Sequence, residues 1–391
     1  MVHFISHVAQ FSTIEWILYG SLLFFFLIQL FFYLSVYKKP YTYEKKRKEA
    51  SSSETLSPGI SVIITSKNDA EELKENLPYI LEQDYPNFEV IVVNSGSTDE
   101  TDMVLKAAEQ KYPGLYHTYV PAGADGVNEK KLAPTLGIKA AKHEVLLFTE
   151  AYCKPCSSQW IQEFGKEFSK GKEVVLGYSR IRFDRKTAMW RFIRYDNLVH
   201  HLKFLSMAIA GKPFMGIGRN MAYKKNLFFE QKGFSPILNI DGGEDDLFIN
   251  RVARKKNTGV VLSVTGMTET GSVDSFSTWR ALKSKYVYTK QFYKGVSAHL
   301  FAWETLSRYA FYIAFLTILL SGAYRGDLLM RGVALFFFFC RYFVQLIVIN
   351  KNSDLLDERR YHLNLLLFDL FQPINNQRFR RYANQRNRHN F

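Results

Sequence analysis

Cysteine is scarce in this chain: three residues among 391. That excludes a disulfide-stapled scaffold, which needs many paired half-cystines in a short chain. Cys153-Lys154-Pro155-Cys156 is a single C-x-x-C with no further Cys or His beside it. Structural zinc takes four ligands, so two reduced thiols are expected, with a redox or metal role as the alternative. Lys and Arg are missing from residues 1–16, and every charge is missing from Ile17–Val36. An uncharged run of that length can cross a bilayer. A cleaved secretory signal is disfavoured: no cation precedes the run, it is too long, and no small-residue cleavage site follows. No internal repeat is present, so the chain is not built from stacked units.

What is abundant is positive charge and aromatic surface. The chain has 51 Lys+Arg against 37 Asp+Glu, a net +14, with 33 Phe and 23 Tyr. Such a balance suits an anionic membrane surface, an anionic substrate or nucleic acid. The basic residues flank apolar segments instead of forming an aromatic-interleaved patch, so no nucleic-acid partner is expected. Lys38, Lys39, Lys45, Lys46, Arg47 and Lys48 follow the first run. The positive-inside rule then puts the amino terminus outside and the globular part in the cytoplasm, as in a bacterial inner-membrane protein. Tyr309–Tyr324 and Gly332–Asn350 are two further apolar segments joined by a short turn, either a membrane hairpin or a buried soluble one. Arg341 lies in the second; it pairs with Gln345 or a lipid phosphate, or serves as a snorkelling or interhelical side chain. Two crossings return the tail, with Arg378, Arg380, Arg381, Arg386 and Arg388, to the cytoplasmic side. Leu365–Phe371, ending before Pro373, reads as an interfacial amphipathic segment.

Three regions follow: residues 1–58 as anchor and basic linker, 59–298 as the catalytic domain, and 299–391 as hairpin, interfacial segment and basic tail. Within 59–298 strands and helices alternate, with helices expected at 97–112 and 133–142 and strands at 115–120, 144–149 and 174–178. Ser61-Val62-Ile63-Ile64 and Val90-Ile91-Val92-Val93 are β-branched runs expected of parallel strands buried on both faces. Leu73, Leu77, Ile80 and Leu81 recur between them at helical spacing, making a βαβ-like unit whose loops lie at carboxyl ends of strands, where open α/β sheets bind ligands. Ser97 and Glu100 have the spacing of a capping box.

The loops Thr65-Ser66-Lys67-Asn68-Asp69 and Val93-Asn94-Ser95-Gly96-Ser97-Thr98-Asp99 resemble those of family 2 glycosyltransferases, whose strands end in P-A-Y-N-E-like and V-D-D-G-S-T-D-like loops. The resemblance implies an α/β domain of the GT-A type, a Rossmann-like nucleotide-diphospho-sugar transferase fold, here with flanking transmembrane helices. It also implies that Thr65, Ser66, Lys67, Asn68, Asp69, Ser95, Gly96 and Ser97 hold the base and ribose of a UDP- or GDP-linked sugar. The family's paired aspartates are replaced by Asn94 and Ser95.

Glycosyl transfer needs neutralisation of a leaving diphosphate, a base for the acceptor hydroxyl, and groups that fix the phosphates. Asp241-Gly242-Gly243-Glu244-Asp245-Asp246-Leu247 resembles the family's E-D-x-x-L segment, which makes Asp245 the implied base beside Glu244 and Asp246. Crowded like charges raise at least one carboxyl pKa, although acidic residues also complement a helix amino terminus. Gly218-Arg219-Asn220-Met221-Ala222 resembles the family's acceptor-side G-x-N-x-A stretch; Arg219 contacts phosphate or pairs with the acidic cluster. Lys130-Lys131 resembles the family's G-K-x-x-A-L-N-x-G-I stretch, and the register of Ala133 and Gly137 matches Lys130 to the lysine near the donor phosphates; a solvated helix face is the alternative for both lysines. Where the family places Asp-x-Asp for Mn²⁺ or Mg²⁺, this chain has Glu150-Ala151-Tyr152, leaving Glu150 as the expected ligand of a divalent cation. The nearest equivalent of the family's Q-x-x-R-W is Gln291-Phe292-Tyr293-Lys294-Gly295, preceded by the basic stretch Trp279–Tyr286; a basic membrane-facing helix is the alternative. Two functions stay open: inverting transfer to a lipid-linked or cell-envelope glycan at the membrane, or nucleotide-sugar binding by a catalytically impaired scaffold.

Overall fold

The computed structural model describes residues 12–49, 57–120, 129–182, 187–271, 273 and 275–388. Residues 50–56 of the expected linker and 1–11 of the expected anchor lie outside them, as do the side chains of Lys48, Arg386 and Arg388.

Helix α1 (Thr13–Phe31) starts at Ser12, which forms a capping box with Glu15, passes into a π-helical turn at Phe32–Tyr37 and is followed by α2 (Lys39–Glu49). The central domain then runs β1 (Ile60–Ser66), α3 (Ala70–Leu81), β2 (Phe88–Asn94), α4 (Thr101–Lys111), β3 (Leu115–Tyr119), α5 (Glu129–Ala140) and β4 (Val145–Glu150). It continues through β5 (Cys153–Pro155), α6 (Trp160–Ser169), β6 (Val174–Gly177), β7 (Ser179–Ile181) and α7 (Ala188–Ile209). Next come β8 (Met221–Lys224), α8 (Lys225–Glu230), α9 (Asp246–Val252), β9 (Thr258–Val261), β10 (Thr268–Thr270) and α10 (Phe276–Thr289). Helices α11 (Ser297–Tyr324), α12 (Leu328–Leu355) and α13 (Asn364–Arg388) complete the chain.

A seven-stranded sheet has the order β3-β2-β1-β4-β8-β6-β9, and a small sheet β5-β10-β7 lies beside it. Strands β1, β2, β3 and β4 pair in parallel, while β8 runs antiparallel to both β4 and β6. The period of two in β1 sorts its side chains into two cores. Ile63 joins Ile91, Val93, Leu146 and Phe148 on one face, with Ala133 and Ile138 of α5. Val62 and Ile64 join Val90, Val92 and Leu147 on the other, with Leu73 and Leu77 of α3 and Trp160 and Phe164 of α6. Gly137 lets α5 approach β1 closely: a Cβ there would lie 2.7 Å from Ile63 Cγ2.

Helix α4 begins at Thr101, not Ser97, and α5 spans 129–140 instead of 133–142. The capping box at Ser97 and Glu100 does not form, because Ser97 Oγ accepts from Asn68 N–H at 2.9 Å and Asp99 instead serves the amides of Thr101 and Ala70. One carboxylate thereby caps two helices and ties the two loops together.

Among the described residues, three helical stretches are long and apolar enough to cross a membrane: Thr13–Arg47, His299–Tyr324 and Leu328–Leu355, with mean hydropathies of 2.1, 1.4 and 2.1. The second of the helices begins well before Tyr309 because its early charges are buried in pairs. Glu304 and Arg308 pair four residues apart, and Arg308 Nη1 also lies 3.1 Å from Asp369 Oδ1. Arg341 donates to Gln345 (3.3 Å), Gln29 (2.9 Å), Tyr312 (3.1 Å) and Asp369 (2.8 Å). The lipid-phosphate reading of Arg341 is therefore replaced by a protein carboxylate that joins all three apolar helices to α13.

Helix α13 is also longer than the Leu365–Phe371 segment, running through Pro373 to Arg388. A missing N–H at one position is outweighed by a face that buries Leu365, Asp369, Gln372 and Phe379. Its second half backs α10: Phe379 meets Phe276 (5.8 Å between rings), Arg280 lies 4.3 Å over Tyr382, and Gln372 shares Asp196 with Lys283.

Candidate active site

The carboxyl ends of β1, β2 and β4 are level, with Ser66 opposite Asn94 and Thr65 opposite Glu150. Strand order reverses between β1 and β4, and that switch point opens a cavity of about 340 Å³. Thr65, Ser66, Lys67 and Asp69 line it from the β1 loop, Ser95 from the β2 loop, and Phe148, Thr149 and Glu150 from β4. Asp69 Oδ2 accepts from Ser66 Oγ (3.0 Å) and from Lys67 N–H (2.8 Å). Burial raises the Asp69 carboxyl, partly offset by these two donors. Asn68 adopts φ +59° and accepts from Thr98 N–H at 2.7 Å, while Asn94 Oδ1 accepts from Ser97 N–H at 3.0 Å. Asn68 and Ser97 are thus cross-braces, and with Gly96 they lie outside the cavity lining.

The opposite wall is acidic. Gly242 and Gly243, at φ +80° and +91°, turn the chain so that Glu244 and Asp245 face the cavity. Asp245 Oδ2 accepts from Gly218 N–H (3.0 Å) and Tyr286 Oη (2.7 Å), and Oδ1 accepts from Asp246 N–H (2.8 Å). A Cβ on Gly218 would stand 3.4 Å from both Asp245 Oδ2 and Glu150 Oε1, so the two carboxylates flank that glycine. Lys130 reaches the rim and pairs with Asp241 at 2.8 Å, whereas Lys131 is buried and donates to the Ile240 carbonyl. Lys285 of α10 completes the wall, its Nζ 2.5 Å from Glu244 Oε1 and 3.7 Å from Asp245 Oδ1.

Burial pushes the Asp245 carboxyl up, but Lys285, the Gly218 N–H and the Tyr286 hydroxyl bring it below the usual carboxylate range. Burial and then Asp245 push Asp246 up instead. The raised carboxyl of the crowded segment is therefore Asp246, which faces inward to Thr289 and Tyr293 and does not line the cavity. Glu150 is lifted to about 7, by burial and by Asp245, Glu244 and Asp69 against the opposing Lys285.

Behind the cavity lies a smaller one, lined by Glu150, Tyr152, Asn197, His200, Arg219, Lys283, Lys285 and Tyr286. Arg219 points there, donating to Asn197 Oδ1 at 3.1 Å, and is neither at the main cavity nor paired with the acidic segment. Asn220 is a structural brace, accepting from Trp160 Nε1 (2.9 Å) and donating to the Tyr178 and Gly266 carbonyls (2.8 and 3.0 Å). Gln291 sits on a short 3₁₀ turn outside the lining, and Tyr293 of that stretch reaches Asp246. Burial pushes the Cys153 and Cys156 thiols up to about 12, so both stay protonated. Lys285 and Tyr286 are the residues that motif reading passed over; their signal was the basic stretch Trp279–Tyr286.

The residues present do not fit a divalent cation of the Asp-x-Asp kind. Tyr152 stands in the second ligand position, turned to the rear cavity, and burial and Glu150 hold its hydroxyl protonated well above its ordinary range. Glu244 and Asp245 already face an ammonium. Among the described residues, no group of three or more His, Cys, Asp and Glu is placed to hold a metal.

His201 supports this region from behind, with Nδ1 donating to the Asn197 carbonyl at 2.9 Å and Nε2 accepting from Ser179 N–H at 3.4 Å. Burial, then Arg219, depresses its pKa to about 3. The unfolded chain, with a His pKa near ~6.5, takes up the proton first. The stability contributed by the neutral ring is thus complete above about pH 6.5 and is lost as pH falls toward 3. Melting temperature in detergent is expected to drop between pH 6.5 and 4, and His201→Gln to flatten that drop; parallel curves for the two proteins would refute it.

Comparison with known proteins places this geometry. Residues 61–230 match the family model described as Glycosyl transferase family 2. That segment is similar to a family 2 glycosyltransferase domain. Glycosyltransferase AglE of Haloferax volcanii is 27% identical over 176 residues, 44% of this chain and 53% of the relative. Poly-beta-1,6-N-acetyl-D-glucosamine synthase of Staphylococcus epidermidis is 26% identical over 206 residues, 51% of this chain and 45% of the relative. The chain thus spans about half the length of these curated relatives. Among solved structures, the mannosyltransferase PcManGT from Pyrobaculum calidifontis, in complex with GDP-Man and Mn²⁺, has a TM-score of 0.50 at 18% identity, covering 86% of this chain and 100% of that one. The fold is therefore a GT-A-like α/β domain with flanking helices long and apolar enough to span a membrane.

Proposed function

We propose that this chain moves a sugar from a UDP- or GDP-linked donor to a lipid-linked or cell-envelope glycan, by single displacement with inversion, at a membrane surface. The carrying observation is Asp245, ionised and fixed by three donors, facing the switch-point cavity across Gly218 from Glu150. In this reading the β1 and β2 loops hold the nucleoside through Thr65, Ser66, Lys67, Asp69 and Ser95, Lys130 approaches the phosphates, and Asp245 accepts the proton of the acceptor hydroxyl. Glu244 orients the cation beside it. The names of the relatives, a glycosyltransferase and a polysaccharide synthase, support a glycan acceptor.

Membrane placement rests on the three apolar helices and on α13, whose Leu367, Phe371 and Ile374 leave an apolar stripe exposed at helical spacing, continued by Leu363 just before the helix. With Lys38–Lys48 and the tail arginines on one side, residues 59–298 face the cytoplasm between an amino-terminal anchor and a carboxyl-terminal hairpin. A scaffold reading is favoured by Asn94, whose side chain is spent on Ser97, and by Tyr152. The full chain in detergent, screened against UDP- and GDP-sugars, separates the two. Transfer predicts donor binding in the micromolar to millimolar range with nucleotide release; binding without release for any donor and acceptor leaves the scaffold.

A further inference from the structure

We propose that Lys285 is the resident cation of the donor site, and that this site takes the diphosphate of its nucleotide sugar without a divalent metal. The inference rests on the glycosyltransferase reading above and deepens it. Lys285 lines both the main cavity and the rear one, as does Glu150, so its ammonium stands at the junction where the acidic segment meets the end of β4. It contacts Glu244 and Asp245 directly. A metal bound by those carboxylates and Glu150 would have to displace the ammonium or share the space with it, and like charges in a buried site repel strongly.

The ammonium also remains charged. Burial alone would lower its pKa, but Asp245 and Glu244, then Tyr286 and Glu150, hold it well above the ordinary lysine value. Its supply is fixed by the fold: α10 is packed from behind by α13, and Tyr286, the next residue, is anchored on Asp245.

The chemistry balances with the lysines of the site. The acceptor hydroxyl oxygen forms a bond to the anomeric carbon while its proton passes to Asp245. The bond from that carbon to the diphosphate oxygen breaks, and its electron pair stays on the diphosphate, which leaves with one more negative charge. Lys285 and Lys130 neutralise that charge, the role a divalent ion plays elsewhere.

The test uses the full chain in detergent with UDP and GDP as probes. For whichever nucleotide binds, affinity in EDTA and in millimolar Mn²⁺ is expected to agree within about twofold, and Mn²⁺ resonance spectra to show no tight protein site. Lys285→Met is expected to weaken nucleotide binding in EDTA at least about tenfold and to create Mn²⁺ dependence, because the carboxylates are released; Lys285→Arg keeps metal-free binding. If Lys285→Met does not fold, the wild-type comparison decides alone. Binding abolished by EDTA and restored by Mn²⁺, or unchanged in a folded Lys285→Met, overturns the role of Lys285 while the glycosyltransferase reading stands. Failure of every UDP and GDP compound to bind overturns both.

Discussion

Asp245→Asn is expected to lower sugar transfer by about two to four orders of magnitude while UDP or GDP binding changes little. The carboxylate is nearly sealed, 2% exposed, yet one edge reaches the cavity. Its surroundings keep it ionised: Gly218 N–H, Tyr286 Oη and Asp246 N–H all donate to it. An asparagine has the same shape but takes no proton from an attacking hydroxyl. Its NH₂ must also face one of those donors, so some folding stability is lost with the base. Transfer is therefore measured per molecule of folded protein, with nucleotide binding as the internal reference. Tyr286→Phe removes one donor and is expected to raise the Asp245 pKa, moving the acid limb of the rate profile upward. Nucleotide release that survives Asp245→Asn unchanged would remove Asp245 from the chemistry.

The largest loss of stability is expected at Asp369→Asn. Asp369 is fully buried between Arg308 and Arg341, with Tyr312 donating to it at 3.0 Å. Removing its charge leaves Arg308 with Glu304, four residues away on its own helix, and takes from Arg341 the carboxylate it pairs with. Breaking a buried pair of this kind costs about 3–5 kcal/mol, because the surviving charge stays desolvated. For a domain-sized cooperative unit that corresponds to a melting temperature lower by roughly 10 °C. Scanning the detergent-purified variant beside the wild type measures it, and melting within about 2 °C of wild type would refute it. Because Gln29 also meets Arg341, the variant is expected to loosen α1 from α12 as well.

Strands were the most legible part of the chain. β1, β2 and β4 read directly from runs such as Val62-Ile63-Ile64, since burial on both faces leaves no ambiguity in their composition. Helix ends were less legible. Ser97 and Glu100 have capping-box spacing, but the Asn68 amide competes for Ser97, and no local rule contains a partner from another loop. The same limit applies to the site. In the stretch Trp279–Tyr286, Arg280 stacks on Tyr382, Lys283 pairs with Asp196, and Lys285 faces Glu244. Three cations of one helix differ only in what the fold sets opposite them. Arg219 and Asn220 were placed by motif at an acceptor wall, yet tertiary partners turn one to the rear cavity and spend the other on Trp160 and two carbonyls.

The backing of α10 by α13 has a mechanical consequence. Asp369 fastens α13 to α11 and α12, and farther along α13 Gln372 and Phe379 press on the helix that carries Lys285. In the proposed membrane placement, a tilt of α11 against α12 would pass along that lever to the ammonium. The lipid around those helices would then brace the cavity wall from a distance, and nucleotide affinity would follow the lipid composition of the reconstituted protein.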